Sequence, residues 1–264
     1  MTTDTVERAV EIFVAARRRR QRVPVLPAAC RPVSLDDACF VQAALNERLG
    51  GALGGVCGRK IGCTTEVMQR YLQIEHPCAG ALYADQVHDR EATVPFAEHW
   101  RPGVECEIAV RLGRSLPASD APFDRTAVAR AVESCMAAIE IVDDRYEDFR
   151  ALDAPSLIAD DFFSAGAVLG TPVSRWRELD LRVLGAAMTI NGVEVGSGRG
   201  ADVMGHPFEA LAWLANHAAD SGRPLAAGEV VLTGSIVETR WVRPGDTVRV
   251  TIESLGEASV HFAS

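Results

Sequence analysis

The sequence predicts an α+β fold in which a helical N-terminal part packs on one domain dominated by strands. Apolar residues recur at helical spacing from Val6 to Ala16, and a second helical pattern follows Ser34. After Gly50-Gly51 the character changes, and from Gly55 the chain is a series of short apolar segments punctuated by glycine and proline. These observations assign residues 1–54 to the helical part and 55–264 to the main domain, with no internal repeat and no linker.

The first helix ends on the basic run Arg17 to Arg20, where cations complement the negative end of a helix dipole. Ser34-Leu-Asp-Asp37 resembles a capping box and starts a helix that runs to about Leu49. A brief helix is expected after Thr64 and another near Arg125 to Glu133. Asn191-Gly192, between Ala186-Ala-Met-Thr-Ile190 and Val193-Glu-Val195, signals a hairpin because both central residues of a type I′ turn need positive φ. His206 to Ser221 reads as an amphipathic helix, with Pro207 tolerated in its first turn and Gly222 at its C-terminal cap. Strands near Glu229 to Thr233, Glu238 to Val242, Thr247 to Ile252 and Ala258 to Phe262 close the chain.

At 264 residues the chain is long enough to bury a substantial core, and 48% hydrophobic with 24% charged residues excludes a disordered polymer. The net charge of −9 argues against a nucleic-acid partner, which requires a basic surface to displace phosphate counterions. Seven cysteines, odd in number and without a Cys-x-x-Cys pair, read as reduced thiols used as small hydrophobes. The N-terminus carries acids where a leader peptide carries basic residues, and no apolar run reaches the ~18 residues of a membrane span. The expectation is a cytoplasmic protein without a membrane or nucleic-acid partner.

Chemistry concentrates in a few places. Glu105 and Glu107 lie in the apolar run Val104-Glu-Cys-Glu-Ile-Ala-Val-Arg-Leu112, and in a strand they point to one face while Cys106 and Ile108 point to the other. Like charges that close favour protonation unless a divalent cation separates them, and an all-carboxylate set suits Mg²⁺ or Mn²⁺ better than zinc. The plain alternative is a strand with a charged outer face. Glu140, in Met136-Ala-Ala-Ile-Glu-Ile-Val-Asp-Asp144, is a third acid inside an apolar strand and needs a cation, a proton or a partner such as Arg145. Lys60 follows a short apolar strand, and a nearby cation or partial desolvation lowers a lysine pKa toward proton transfer. Thr233-Gly234-Ser235 follows the apolar strand Val230-Val-Leu232, as a turn or as an anion-binding backbone.

Seven segments in order resemble the 2-keto-4-pentenoate hydratase branch of the fumarylacetoacetate hydrolase superfamily, from about Leu35 to the C-terminus. They are Lys60-Ile-Gly-Cys-Thr64, Val104-Glu-Cys-Glu-Ile108, Ile139-Glu-Ile-Val-Asp143, Ala159-Asp-Asp161, Gly205-His-Pro207, Trp213-Leu-Ala-Asn216 and Gly228-Glu-Val-Val-Leu-Thr-Gly-Ser235. The resemblance implies a mixed β-sandwich roll and a Mg²⁺ or Mn²⁺ ion on Glu105, Glu107 and Glu140. It implies Lys60 as the proton-transfer residue, and Thr233, Gly234, Ser235 and Ser164 as substrate-binding residues. The substrate class is a 2-hydroxy-2,4-dienoate from meta-cleavage of catechols, to which water is added to give a 4-hydroxy-2-oxoacid. A homo-oligomer is also implied, with association to a related decarboxylase or hydratase.

Two departures keep other activities in view. Hydratases of the branch commonly carry an acid in a Pro-Asp-aromatic-Gly segment, where this chain reads Pro77-Cys78-Ala79-Gly80. Cys78 replaces a carboxylate as a base only with a strongly lowered pKa. Ala159-Asp-Asp-Phe-Phe-Ser164 stands where the branch more often reads Ala-Asp-Asn followed by small residues, so that Asp161, Phe162 and Phe163 make the segment more acidic and bulkier and point to a different or more apolar substrate tail. The alternatives are a 4-oxalocrotonate-type decarboxylase, an acylpyruvate hydrolase and a non-catalytic partner subunit.

Overall fold

The computed structural model describes residues 1–264. Two helices open the chain, α1 (Thr3–Arg18) and α2 (Leu35–Gly50), each started by a hydroxyl cap from Thr2 or Ser34. Short helices α3 (Glu66–Leu72), α4 (Arg125–Ala131) and α5 (Ala154–Ala159) and the longer α6 (Pro207–Asp220) follow among the strands. Seven strands form the main sheet in the order β2 (Cys78–Tyr83), β1 (Val56–Gly62), β10 (Val230–Trp241), β5 (Pro102–Leu112), β6 (Val132–Asp143), β7 (Ser164–Leu169) and β3 (Val87–Asp89). A second sheet runs β4 (Glu91–Pro95), β12 (Gly256–Ala263), β11 (Thr247–Ile252), β8 (Gly185–Ile190) and β9 (Val193–Arg199). No helix is long and apolar enough to cross a membrane.

Side-chain alternation along β5 and β6 separates two environments. Val104, Cys106, Ile108 and Val110, with Ala137, Ile139 and Ile141, face a large apolar core shared with the second sheet and α6. Their neighbours Ala109, Met136 and Ala138 turn to the opposite face, where a smaller cluster with Leu82, Ala167, Leu169, Val230 and Leu232 forms an apolar floor. Ser164 Oγ donates to the Ala81 carbonyl at 2.7 Å, joining β7 to β2. These strands lie toward opposite ends of the sheet order, so the sheet curls on itself and the second face becomes an interior. A third cluster packs α1, α2 and α5 against Tyr83, Tyr146 and Phe162.

Most expected elements form, and the differences have physical causes. Asn191 and Gly192 have φ of 53° and 79°, as a type I′ hairpin requires. The helix expected to reach Glu133 stops at Ala131, because Val132 already pairs with Leu112 in the main sheet. The two strands expected around Thr233-Gly234-Ser235 are one strand, β10. The segment is a bulge rather than a turn, with register shifts on both sides of Ser235 and Gly234 at φ 121°. Any side chain at Gly234 would also strike Thr64, with a Cβ only 2.5 Å from its Cγ2.

Candidate metal centre

Glu105, Glu107 and Glu140 converge on the interior face of the curled sheet. Glu105 and Glu140 are directly paired across the β5–β6 ladder, and Glu107 stands one pleat away opposite Ala138. One carboxylate oxygen from each lies within 4.8 Å of the others. Glu107 and Glu140 are fully buried and Glu105 is half-buried, so the cluster opens to solvent on the Glu105 side. Lys60 Nζ, itself buried, sits 2.9 Å from Glu140 Oε1 as an ion pair whose angle falls short of a hydrogen bond. Glu140 therefore pairs with Lys60 and not with Arg145, whose guanidinium is turned to Asp160.

One ammonium faces three carboxylates. Burial, then Glu140, push the Glu105 carboxyl up to about 7, although Lys60 and a hydrogen bond from Thr239 Oγ1 work the other way. Glu107 is also raised well above the usual carboxylate range by burial, Glu140 and Glu105. Burial pulls the Lys60 pKa down, but the attraction of Glu140, Glu105 and Glu107 outweighs it and the net direction is up. The lowered lysine pKa expected from the sequence is absent while the three charges stand uncompensated. Glu107 Oε1 and both Glu140 oxygens accept no hydrogen bond despite full burial. Orphaned, convergent, all-oxygen donors are what a hard divalent cation requires, so the residues fit such an ion.

The remaining expected site residues divide. The Gly234 N–H donates to Glu107 Oε2 at 2.7 Å, so the β10 bulge orients a carboxylate. Thr233 Oγ1 donates to the Ile108 carbonyl, Ser235 Oγ to the Val237 carbonyl, and Ser164 Oγ closes the sheet onto β2. In this arrangement those three hydroxyls serve the backbone. Cys78 lies in register with Gly62 beside Lys60 on the interior side of β1 and β2. Its thiol is held far above the usual range by the neighbouring Cys63 thiol and by burial, which leaves it protonated. Asp161 is buried and spends its oxygens on Ala81 N at 2.8 Å and Tyr83 Oη at 3.3 Å. His206 caps α6 through Nδ1, accepting from Phe208 N, and burial lowers its pKa to about 4.

The turn that carries Asp161 is the most strained segment beside the site. Asp161, Phe162 and Phe163 have φ of 66°, 44° and 65°, a left-handed run that costs roughly 1–2 kcal/mol per residue. It persists because Asp160 anchors it. Arg17 donates to Asp160 Oδ1 at 2.8 Å and to its carbonyl at 3.0 Å, while Tyr146 Oη donates to Oδ2 at 2.8 Å. Arg145 adds a second guanidinium and also reaches the Ser164 carbonyl. Arg17 thus does more than complement the dipole of α1. Gly62 and Gly80 leave room for the turn, since a Cβ at Gly62 would lie 2.8 Å from the Phe162 ring and one at Gly80 2.9 Å from the Asp161 carbonyl. A separate concavity of 520 Å³ is lined by residues including Arg20, His88, His99 and Ser164 and by none of the three glutamates.

A family model described as fumarylacetoacetate (FAA) hydrolase C-terminal matches residues 73–263. The chain belongs to the fumarylacetoacetate hydrolase family. It is 33% identical over 265 residues to a 2-keto-4-pentenoate hydratase of Paraburkholderia xenovorans (strain LB400), covering all of this chain and 97% of that protein. It is 32% identical over 227 residues to a 4-oxalocrotonate decarboxylase of Pseudomonas putida, covering 86% of this chain and 84% of that one. Among solved structures, the 4-oxalocrotonate decarboxylase of Pseudomonas putida G7 complexed with magnesium and adipate superposes with a TM-score of 0.88. That match is 29% identical and covers 99% of this chain and 98% of the other. The mixed sandwich is therefore the fold of this family, and the likeness to the decarboxylase extends over the N-terminal helices.

Thr239, Phe162 and the Asp160 clamp are missing from the expected site. Thr239 and Arg17 carry no local signal, because each acts through a partner far away in sequence. Phe162 was legible as unusual bulk but not as a neighbour of Lys60.

Proposed function

We propose that this protein is a divalent-metal-dependent hydro-lyase that adds water to a 2-hydroxy-2,4-dienoate and gives a 4-hydroxy-2-oxoacid. The observation that carries the reading is the convergent three-carboxylate cluster beside a buried lysine, with buried oxygens of Glu107 and Glu140 that accept no hydrogen bond, in a chain related over its full length to a 2-keto-4-pentenoate hydratase. Glu105, Glu107 and Glu140 would hold Mg²⁺ or Mn²⁺, and the chemistry such an ion supplies is stabilisation of negative charge on the substrate 2-oxygen. Lys60 Nζ holds the proton that is delivered to the far carbon of the diene, which turns the dienol into a conjugated 2-oxoacid open to addition of water. Glu140 Oε1 fixes the ammonium, Thr239 and Gly234 orient Glu105 and Glu107, and burial of Lys60 and Glu107 keeps bulk water from competing for the proton.

A second reading, a 4-oxalocrotonate-type decarboxylase, is favoured by the likeness to the magnesium- and adipate-bound structure and by Cys78, a protonated thiol where hydratases of the branch carry an acid. The test follows the dienol absorbance of 2-hydroxypenta-2,4-dienoate and of 2-hydroxymuconate, with Mg²⁺ or with EDTA, and identifies products by NMR. Metal-dependent 4-hydroxy-2-oxopentanoate from the first substrate is expected. CO₂ release from the second without hydration of the first would replace the hydro-lyase reading by the decarboxylase.

A further inference from the structure

The Phe162 ring packs against Lys60. Its centroid is 5.0 Å from Lys60 Nζ, which also pairs with Glu140 Oε1 at 2.9 Å. The ring is buried and held edge-on by Phe163, which in turn packs edge-on against Tyr146 and Phe149. The left-handed turn allows it little freedom, with Asp161 bonded to Ala81 N on one side and Phe162 N bonded to the Leu157 carbonyl on the other. Both guanidiniums that reach the turn, from Arg17 and Arg145, are spent on Asp160.

We infer that Phe162 is a specificity-determining residue: its ring forms the apolar wall that receives the tail of a monocarboxylate dienoate and disfavours a second carboxylate there. This inference rests on the proposed proton delivery from Lys60. A carbon that takes a proton from Nζ approaches to about 3 Å, and so lies within reach of a ring whose centre is 5.0 Å from that nitrogen. That carbon is the far end of the diene, where the tail is attached. A hydrocarbon tail meets an aromatic face and remains dry. A tail carboxylate meets the same ring, with the Lys60 ammonium already paired to Glu140 and the Arg17 and Arg145 guanidiniums to Asp160. Buried unpaired charge is strongly disfavoured, which turns one side chain into a selectivity filter.

The test measures binding of two unreactive probes, 2-oxopentanoate and 2-oxohexanedioate, to the Mg²⁺-loaded full chain by calorimetry. Wild type, Phe162→Leu and Phe162→Arg are compared, with hydration of 2-hydroxypenta-2,4-dienoate assayed in parallel. The monocarboxylate is expected to bind wild type at least about tenfold more tightly. Phe162→Leu keeps that preference and serves as the folded, apolar control, while Phe162→Arg moves it toward the dicarboxylate by a similar factor. Hydration by wild type together with one unchanged preference in all three proteins overturns the role of Phe162 alone. Absence of hydration with a preference that follows residue 162 overturns the hydro-lyase reading and leaves the ring as the determinant of ligand class.

Discussion

Removing one of the proposed metal ligands should stabilise the metal-free protein. Burial and Glu140 raise the Glu105 carboxyl from 4.5 to about 7 in the folded chain. Between those values the folded state holds a proton that the unfolded state has released. The group's contribution to stability is therefore complete below pH 4.5 and is lost as pH rises through 7. At about 1.36 kcal/mol per pH unit the loss is about 3 kcal/mol. Glu105→Gln keeps an oxygen for Thr239 Oγ1 to donate to and carries no charge, so it escapes the loss. An unfolding entropy of about 2.1 cal/mol/K per residue over 264 residues converts 3 kcal/mol to about 5 °C. Thermal melts followed by circular dichroism in EDTA should place the variant about 5 °C above wild type at pH 8 and level with it at pH 4.5. Saturating Mg²⁺ or Mn²⁺ should invert the order at pH 8, because wild type alone gains the full binding free energy. A variant less stable than wild type at pH 8 in EDTA, or a difference that does not change with pH, would refute the argument.

Lys60→Met should retain Mg²⁺ binding in a calorimetric titration while turnover falls by about 10²–10⁴; loss of the metal would assign Lys60 to ligand assembly instead. Arg17→Met should cost about 3–5 kcal/mol by stripping a buried carboxylate of its closest cation. In scanning calorimetry that is a fall of roughly 5–9 °C, and a drop of under about 2 °C would show that Arg145 and Tyr146 suffice. Cys78→Ser should leave the pH–rate profile superimposable on wild type, since the thiol does not ionise near neutrality. A limb of the profile that disappears with the thiol would show otherwise.

How much of this was legible in the sequence depended on distance along the chain. Period-two alternation is a local property, so the shared face of Glu105 and Glu107 was readable from their strand alone, as were the Asn191-Gly192 hairpin and the Ser34 cap. Glu140 stood out as an acid in an apolar run, but its pairing with Glu105 depends on register between two strands. Thr233-Gly234-Ser235 was read as a turn or as an anion-binding backbone because glycine after an apolar strand ordinarily ends it. Only the ladder to β5 shows that the strand continues through a bulge. The upward direction of the Lys60 shift without a metal ion was not legible, because it depends on how many carboxylates reach one ammonium, a number set by tertiary packing. The left-handed turn had no local signature at all, since two phenylalanines are poor candidates for positive φ and tolerate it only under the Asp160 clamp.

The clamp also dictates an order of events while the chain is being made. Arg17 lies in the first helix, yet its partner Asp160 follows 143 residues later. A nascent chain that has emerged only through α2 carries an arginine with nothing to meet, on helices whose shared core still awaits α5 and Tyr146. Strand β1, with Lys60, waits longer still, because its inner neighbour β10 begins at Val230. Contacts of such separation are slow to close. Lys60 is thus among the early residues to leave the ribosome, and its strand is among the last to gain both neighbours.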